Sequence, residues 1–124
     1  MANLLEQAAG WLDRMRTAHL SRNVTYCRGA GSVQVAATVG RTVFEVENAY
    51  GIVEKAESRD FLVSAASLVM DGQVIRPQRG DQISDDGRTY EVMAPGNEDV
   101  CRPADPYGIT LRIHTKFVSN EPIS

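Results

Sequence analysis

The sequence predicts a mainly β domain, a small antiparallel β-barrel or sandwich with one N-terminal amphipathic α-helix. Two observations carry this. Apolar residues recur at helical intervals only ahead of residue 20, and from Ser21 onward the period changes to two, with glycine, aspartate and proline marking frequent turns. The 124 residues suffice for one core, so the chain is expected to be a single domain, 1–124. Its parts are a helix in 1–20, a barrel in 21–118 with a long loop near 47–59, and a tail at 119–124.

Each element follows from local pattern. Leu4, Leu5, Ala8, Trp11, Leu12 and Met15 fall on one stripe of a helical wheel, while Glu6, Gln7, Asp13, Arg14 and Arg16 lie largely elsewhere. Asn3 and Glu6 have the spacing of a capping box. Gly10 weakens the isolated helix by up to about 1 kcal/mol relative to alanine, so the stripe needs a docking partner. Val24 and Tyr26, then Val33, Val35, Ala37 and Val39, alternate as in strands, broken by Gly29, Gly31 and Gly40. Thr42 to Val46 and Gly51 to Val53 continue in β-branched style around Asn48-Ala49-Tyr50-Gly51. The charged, poorly patterned stretch up to Arg59 makes Glu47 to Arg59 a long loop or floppy hairpin. Phe61-Leu62-Val63 is a strand core, Asp71-Gly72 a turn, and Asp85-Asp86-Gly87 the hinge of a hairpin. Pro95 to Gly108 is an irregular excursion, and in the last strand Leu111, Ile113 and Thr115 alternate with Arg112, His114 and Lys116.

Composition narrows the function. Thirteen basic residues against sixteen acidic give a net charge of −3, which argues against a domain that holds nucleic acid mainly by its phosphates. No apolar run reaches the roughly 18 to 20 residues of a membrane span, and charges occupy the N-terminal stretch where a signal peptide is apolar. An intracellular, soluble product without membrane contact is expected. Cys27 and Cys101 lack metal-site spacing and are expected to be free thiols.

Among the motifs, Arg79-Gly80-Asp81 could be an adhesion signal. Its better reading is a turn whose carboxylate caps amides or pairs with a basic side chain. His19 and His114 are expected to be solvated or at an interface, and Asp85-Asp86 and Glu98-Asp99 to be solvated turn residues. No phosphate loop, HExxH or GxSxG elbow occurs, so no catalytic residue, metal site or cofactor is assigned. Arg112, His114 and Lys116 form a candidate positive stripe at a subunit interface. Its acidic counterparts on a neighbouring copy are Glu45, Glu47, Glu54 and Glu57.

From Arg59 onward an ordered series of features stands out: Asp60-Phe61-Leu62, the Leu68 to Gly72 turn, Pro77 with Gly80-Asp81 and Ile83, Tyr90-Glu91-Val92 before Pro95, and Leu111 to Lys116. Over about half of the chain this series resembles the small head–tail joining proteins, also called head-completion or stopper proteins, of long-tailed bacteriophages. The resemblance implies a virion protein of the neck, a β-barrel forming a dodecameric ring below the portal vertex, with no catalysis. Implied partners are the portal or an adaptor, tail proteins, and DNA sliding through the channel without sequence-specific binding. The helix residues Leu4, Leu5, Trp11, Leu12 and Met15 then face a neighbouring subunit or ring. The channel loop of related stoppers corresponds to Glu47, Tyr50, Glu54, Lys55 and Glu57. Three other readings are a tail-terminator ring, a monomeric barrel holding a ligand or nucleic acid on Tyr26, Phe44, Tyr50 and Tyr107, and an enzyme using Asp99 or Asp105.

Overall fold

In a computed structural model the backbone is described for residues 4–19 and 21–120, and side chains for 4–11 and 21–120. The expected cap at Asn3, the side chains of Leu12, Met15 and His19, and residues 121–124 of the tail lie outside the described residues.

Helix α1 spans Leu4–His19 and runs through Gly10 without a break. Nine strands follow: β1 (Arg22–Arg28), β2 (Gly31–Glu47), β3 (Val53–Ser64), β4 (Val69–Met70), β5 (Gln73–Val74), β6 (Gln82–Asp85), β7 (Arg88–Val92), β8 (Cys101–Pro103) and β9 (Thr110–Ser119). The main sheet runs β3-β2-β1-β6-β7-β9-β8, all pairs antiparallel, and β3 also pairs with β9. Six strands therefore close on themselves into a barrel, and β8 is added along β9.

Closure suits the alternation. Val24, Tyr26, Val35, Ala37, Phe61, Val63, Ile83, Tyr90, Val92, Leu111 and Ile113 sit two apart along their strands, and all are buried. In register they meet across the ladder, Val24 opposite Val35, Ala37 opposite Val63, Phe61 opposite Ile113 and Ile83 opposite Tyr90. Phe61 and Phe117 both meet the Tyr90 ring edge to face, at 5.5 and 5.8 Å. The β6–β7 hairpin turns at Asp86 and Gly87, both with positive φ, as a type I′ turn requires.

Two expectations about β2 are corrected. Gly40 does not break the strand, which runs unbroken for 17 residues. The residue instead makes room: a Cβ there would lie 3.1 Å from an Arg112 guanidinium nitrogen and 3.3 Å from Leu62. Of the two readings of the segment near 47–59, a long loop or a floppy hairpin, the structure shows a hairpin, and an ordered one. Only Asn48 to Ile52 turn, and the β2–β3 ladder is continuous from Ala37 opposite Val63 to Glu47 opposite Val53. Because β1 reaches only to Ala37 and β9 only to Arg59, the outer part of this ladder is a two-stranded arm projecting roughly 20 Å beyond the barrel. Val43, Val46 and Val53 each lie opposite a glutamate and Glu45 lies opposite Lys55, so the charged residues of this stretch are themselves partners in the ladder.

Candidate functional site

The arm ends in a built turn. The Asn48 side-chain oxygen accepts hydrogen bonds from the Tyr50 and Ile52 amides at 2.8 and 3.0 Å, its amide nitrogen donates to Glu54 at 3.0 Å, and Gly51 adopts a φ of 76°. These contacts hold the tip in one shape. All five residues expected in a channel loop belong to the arm: Glu47 ends β2, Tyr50 lies in the turn, and Glu54, Lys55 and Glu57 lie on β3. All are exposed, Tyr50 at 89%. Val43, Val46, Ile52 and Val53 are exposed beside them. Solvent-facing valine and isoleucine on a protruding ribbon mark a contact surface.

At the root of the arm sits a polar cluster that sequence reasoning missed. Asp60 lies opposite both Gly40 and His114 in the ladders. Its carboxylate accepts hydrogen bonds from the Ser58 and Thr42 hydroxyls, from Arg112 at 2.8 Å and from His114 Nδ1 at 2.9 Å. Burial alone would raise the Asp60 carboxyl, but the four donors outweigh it and hold the group well below the usual carboxylate range. An ionised carboxylate only accepts, so the proton of neutral His114 resides on Nδ1. Its Nε2 is buried without a hydrogen-bond partner among the described residues. Ser58 Oγ donates to Asp60 and lies 3.5 Å from His114 Nδ1, so the three side chains do not form a nucleophile paired to a base nitrogen.

The positive stripe is thereby corrected. His114 is fully buried, because the excursion beginning at Met93 covers that face: the His114 amide donates to Val100 and its carbonyl accepts from Met93. Arg112 is turned onto Asp60, and only Lys116 is exposed, 3.7 Å from Glu91. Alternation along a strand predicts one face in the core and one in water, but both faces of β9 from Leu111 to Thr115 are covered here. A period of two cannot signal that. The clue available was Ser58-Arg59-Asp60 itself, whose spacing places serine and aspartate on one side of a strand otherwise flanked by apolar residues.

Other acidic residues hold the two ends of the barrel. Asp81 accepts from the Tyr26 hydroxyl, from the Arg28 guanidinium at 2.9 Å and from the Gln78 amide at 3.0 Å. The Arg79-Gly80-Asp81 turn is thus architecture, with Gly80 at a φ of 93°. Tyr26 is buried, and burial first, then Asp81, pushes its hydroxyl above the ordinary tyrosine range, so it offers no stacking platform. At the opposite end Asp85, expected to be a solvated turn residue, is buried. It accepts from Arg22 at 2.5 Å and Arg59 at 3.0 Å. Arg59 lies 4.8 Å above the Tyr90 ring and closes the core at the end where the arm departs. Asp105 accepts from the amides of Tyr107, Ile109 and Thr110, which outweigh its burial and lower its carboxyl, and Asp99 caps Val100. Both are structural. Cys27 and Cys101 are free thiols.

On the helix, Leu4, Leu5 and Trp11 are exposed, Leu4 at 82%. The described part of the apolar stripe is thus presented to solvent by the chain alone. No helix among the described residues is long and apolar enough to cross a membrane, and no group of three or more metal-binding side chains occurs among them.

A closed barrel with an arm and an apolar helix face left uncovered is built for contact with other proteins, and comparison agrees. The family model of the phage head-tail joining proteins matches residues 2–122. The chain belongs to this family. The match covers nearly the whole length, so the resemblance legible from Arg59 onward extends through the helix, β1 and β2. As a head-tail joining protein it is a structural component of the phage, acting where head meets tail. Comparison with curated proteins finds no match.

Proposed function

We propose that this head-tail joining protein works as a repeated subunit, a dodecameric ring in the virion neck below the portal vertex, with the barrel as rigid body and the β2–β3 arm as the channel element. The carrying observation is the arm: an ordered ribbon flanked by Gly96 as far as Phe44 and Glu45 and extending past the barrel beyond them, with Glu47, Tyr50, Glu54, Lys55 and Glu57 exposed along it. Repeated around an axis, its carboxylates repel duplex phosphates and let DNA pass without sticking. The exposed Leu4, Leu5 and Trp11, with Leu12 and Met15 on the same stripe of the sequence, dock α1 onto the portal or adaptor ring. Tail proteins bind the opposite side. Lys116, and the part of Arg112 that reaches the surface, supply electrostatic register between copies. No cofactor and no membrane take part.

The test is a shortened arm, Glu45 joined through Asn-Gly to Lys55, supplied to phage lacking the native chain. Complete necks that leak packaged DNA are expected. Particles that retain and deliver DNA normally would remove the channel role from the arm.

A further inference from the structure

The end of the barrel from which the arm departs carries an open cleft of about 640 Å³. Arg59 and Tyr90 lie at its base, Arg41 on the side of the arm, and Arg88, Lys116 and Phe117 on the side of β7 and β9. Three of the four cations already face carboxylates: Arg41 meets Glu57, Arg59 meets Asp85 and Lys116 meets Glu91. Arg88 makes no ion pair among the described residues, although it lines a neighbouring recess with Asp85 and Asp86, and among the same residues the Arg59 Nε is buried without a hydrogen-bond partner. Phe117 and Val118 are exposed at the rim, Phe117 at 53%.

The arm offers the complementary chemistry. On the face continuous with the barrel interior stand Val43 and Glu45 of β2 and Val53 and Lys55 of β3, Glu45 opposite Lys55. Val43 and Val53 are exposed at 52% and 60%. An arm cannot fill its own cleft, because its ladder is continuous from root to tip and carries Glu45 and Val53 away from Arg59.

We propose that the cleft receives the arm of a second copy of this chain, Val43 seating on Phe117 and Glu45 pairing with Arg88 and Lys116. The proposal rests on the repeated-subunit reading and names the surfaces that join one copy to the next. Cleft and arm are different surfaces, and in the ring of the repeated-subunit reading their contact runs head to tail. It passes from copy to copy and closes when the rotation permits. The opposite face of the arm, with Glu54, and the tip beyond the Glu45–Lys55 pair, with Glu47 and Tyr50, stay open to the channel. A second copy fits better than duplex DNA, since Glu57, Asp85 and Glu91 beside the cations repel phosphate while an exposed phenylalanine gains from an apolar partner.

Charge exchange on the full chain tests this. The arm variant carries Val43→Arg and Glu45→Lys, and the cleft variant Arg88→Glu and Lys116→Glu; all four positions are exposed, and circular dichroism verifies that each variant folds. Sedimentation over a concentration series is expected to show self-association of the unaltered chain, weakened about tenfold or more in either variant. An equimolar mixture of the two, in which every arm meets a cleft of opposite charge, is expected to regain it. Undiminished association of either variant, or failure of the mixture to recover, overturns the proposal and leaves the repeated-subunit reading standing. An unaltered chain that stays monomeric at the highest attainable concentration overturns both. Retention of duplex DNA that is lost in the cleft variant, with self-association intact, assigns the cleft to DNA and likewise overturns the proposal.

Discussion

Asp60 ties the arm to the barrel with one side chain, since Thr42 and Ser58 belong to the arm's root and Arg112 and His114 to β9. Removing its charge by Asp60→Asn leaves Arg112 and the hydroxyls with a weaker acceptor. The full loss of a buried ion pair does not apply, because Arg112 keeps about a quarter of its side-chain surface in water. A loss of about 2–3 kcal/mol in urea unfolding at neutral pH is expected. The carboxyl is lower in the folded state than the ordinary aspartate value of 3.8, so its contribution is present above that value and is lost as pH falls below it. The difference between the native chain and Asp60→Asn should therefore shrink on acidification below about pH 4; a difference independent of pH would mean that Asp60 is not held ionised. At this scale the sequence was partly legible. Asp81 as a turn carboxylate paired to a base followed from Gly-Asp chemistry, whereas Asp85 and His114 were misjudged. Their burial depends on strands brought from Arg22, Arg59 and Val100, distant in the chain, and local pattern carries no trace of such partners.

Helix and arm both present exposed apolar side chains among the described residues, Leu4, Leu5 and Trp11 on the one and Val43, Val46 and Val53 on the other. For α1, 16 residues with a central glycine and exposed leucines cannot be held by propensity alone. Hydrogen exchange on the free chain is expected to show the amides of Leu5 to Arg16 exchanging far faster than those of Leu111 to Thr115, and becoming protected on assembly. Equal, strong protection in free and assembled protein would contradict this. The arm beyond Phe44 is expected to contribute little to the barrel, so joining Glu45 to Lys55 through Asn-Gly should leave the unfolding free energy within about 1 kcal/mol of the native chain. A larger loss would make the arm part of the core. The helix is legible by its stripe, and two short hairpins by Asp71-Gly72 and Asp86-Gly87. The arm is legible only as a long loop or floppy hairpin, because its charges resemble those of a loop. Only pairing Glu47 with Val53, and the rest of the ladder down to the barrel, shows that each charged residue has a strand neighbour.

As a whole molecule, the chain is a closed barrel whose two ends are stapled by Asp81 with Arg28 and Asp85 with Arg22 and Arg59. Closure was not written in any one segment: it requires β3 and β9, nearly fifty residues apart, to meet from Arg59 opposite Thr115 to Ser64 opposite Thr110. Membership of the head-tail joining family tells where such a body acts, and the repeated-subunit reading says how. The most direct measurement is electron cryomicroscopy of the assembled phage neck at a resolution that traces the chain. The account predicts a closed ring of identical barrels between head and tail, each arm reaching the next copy and bordering the channel; a neck holding the protein as isolated copies, with arms turned outward to solvent, would contradict it.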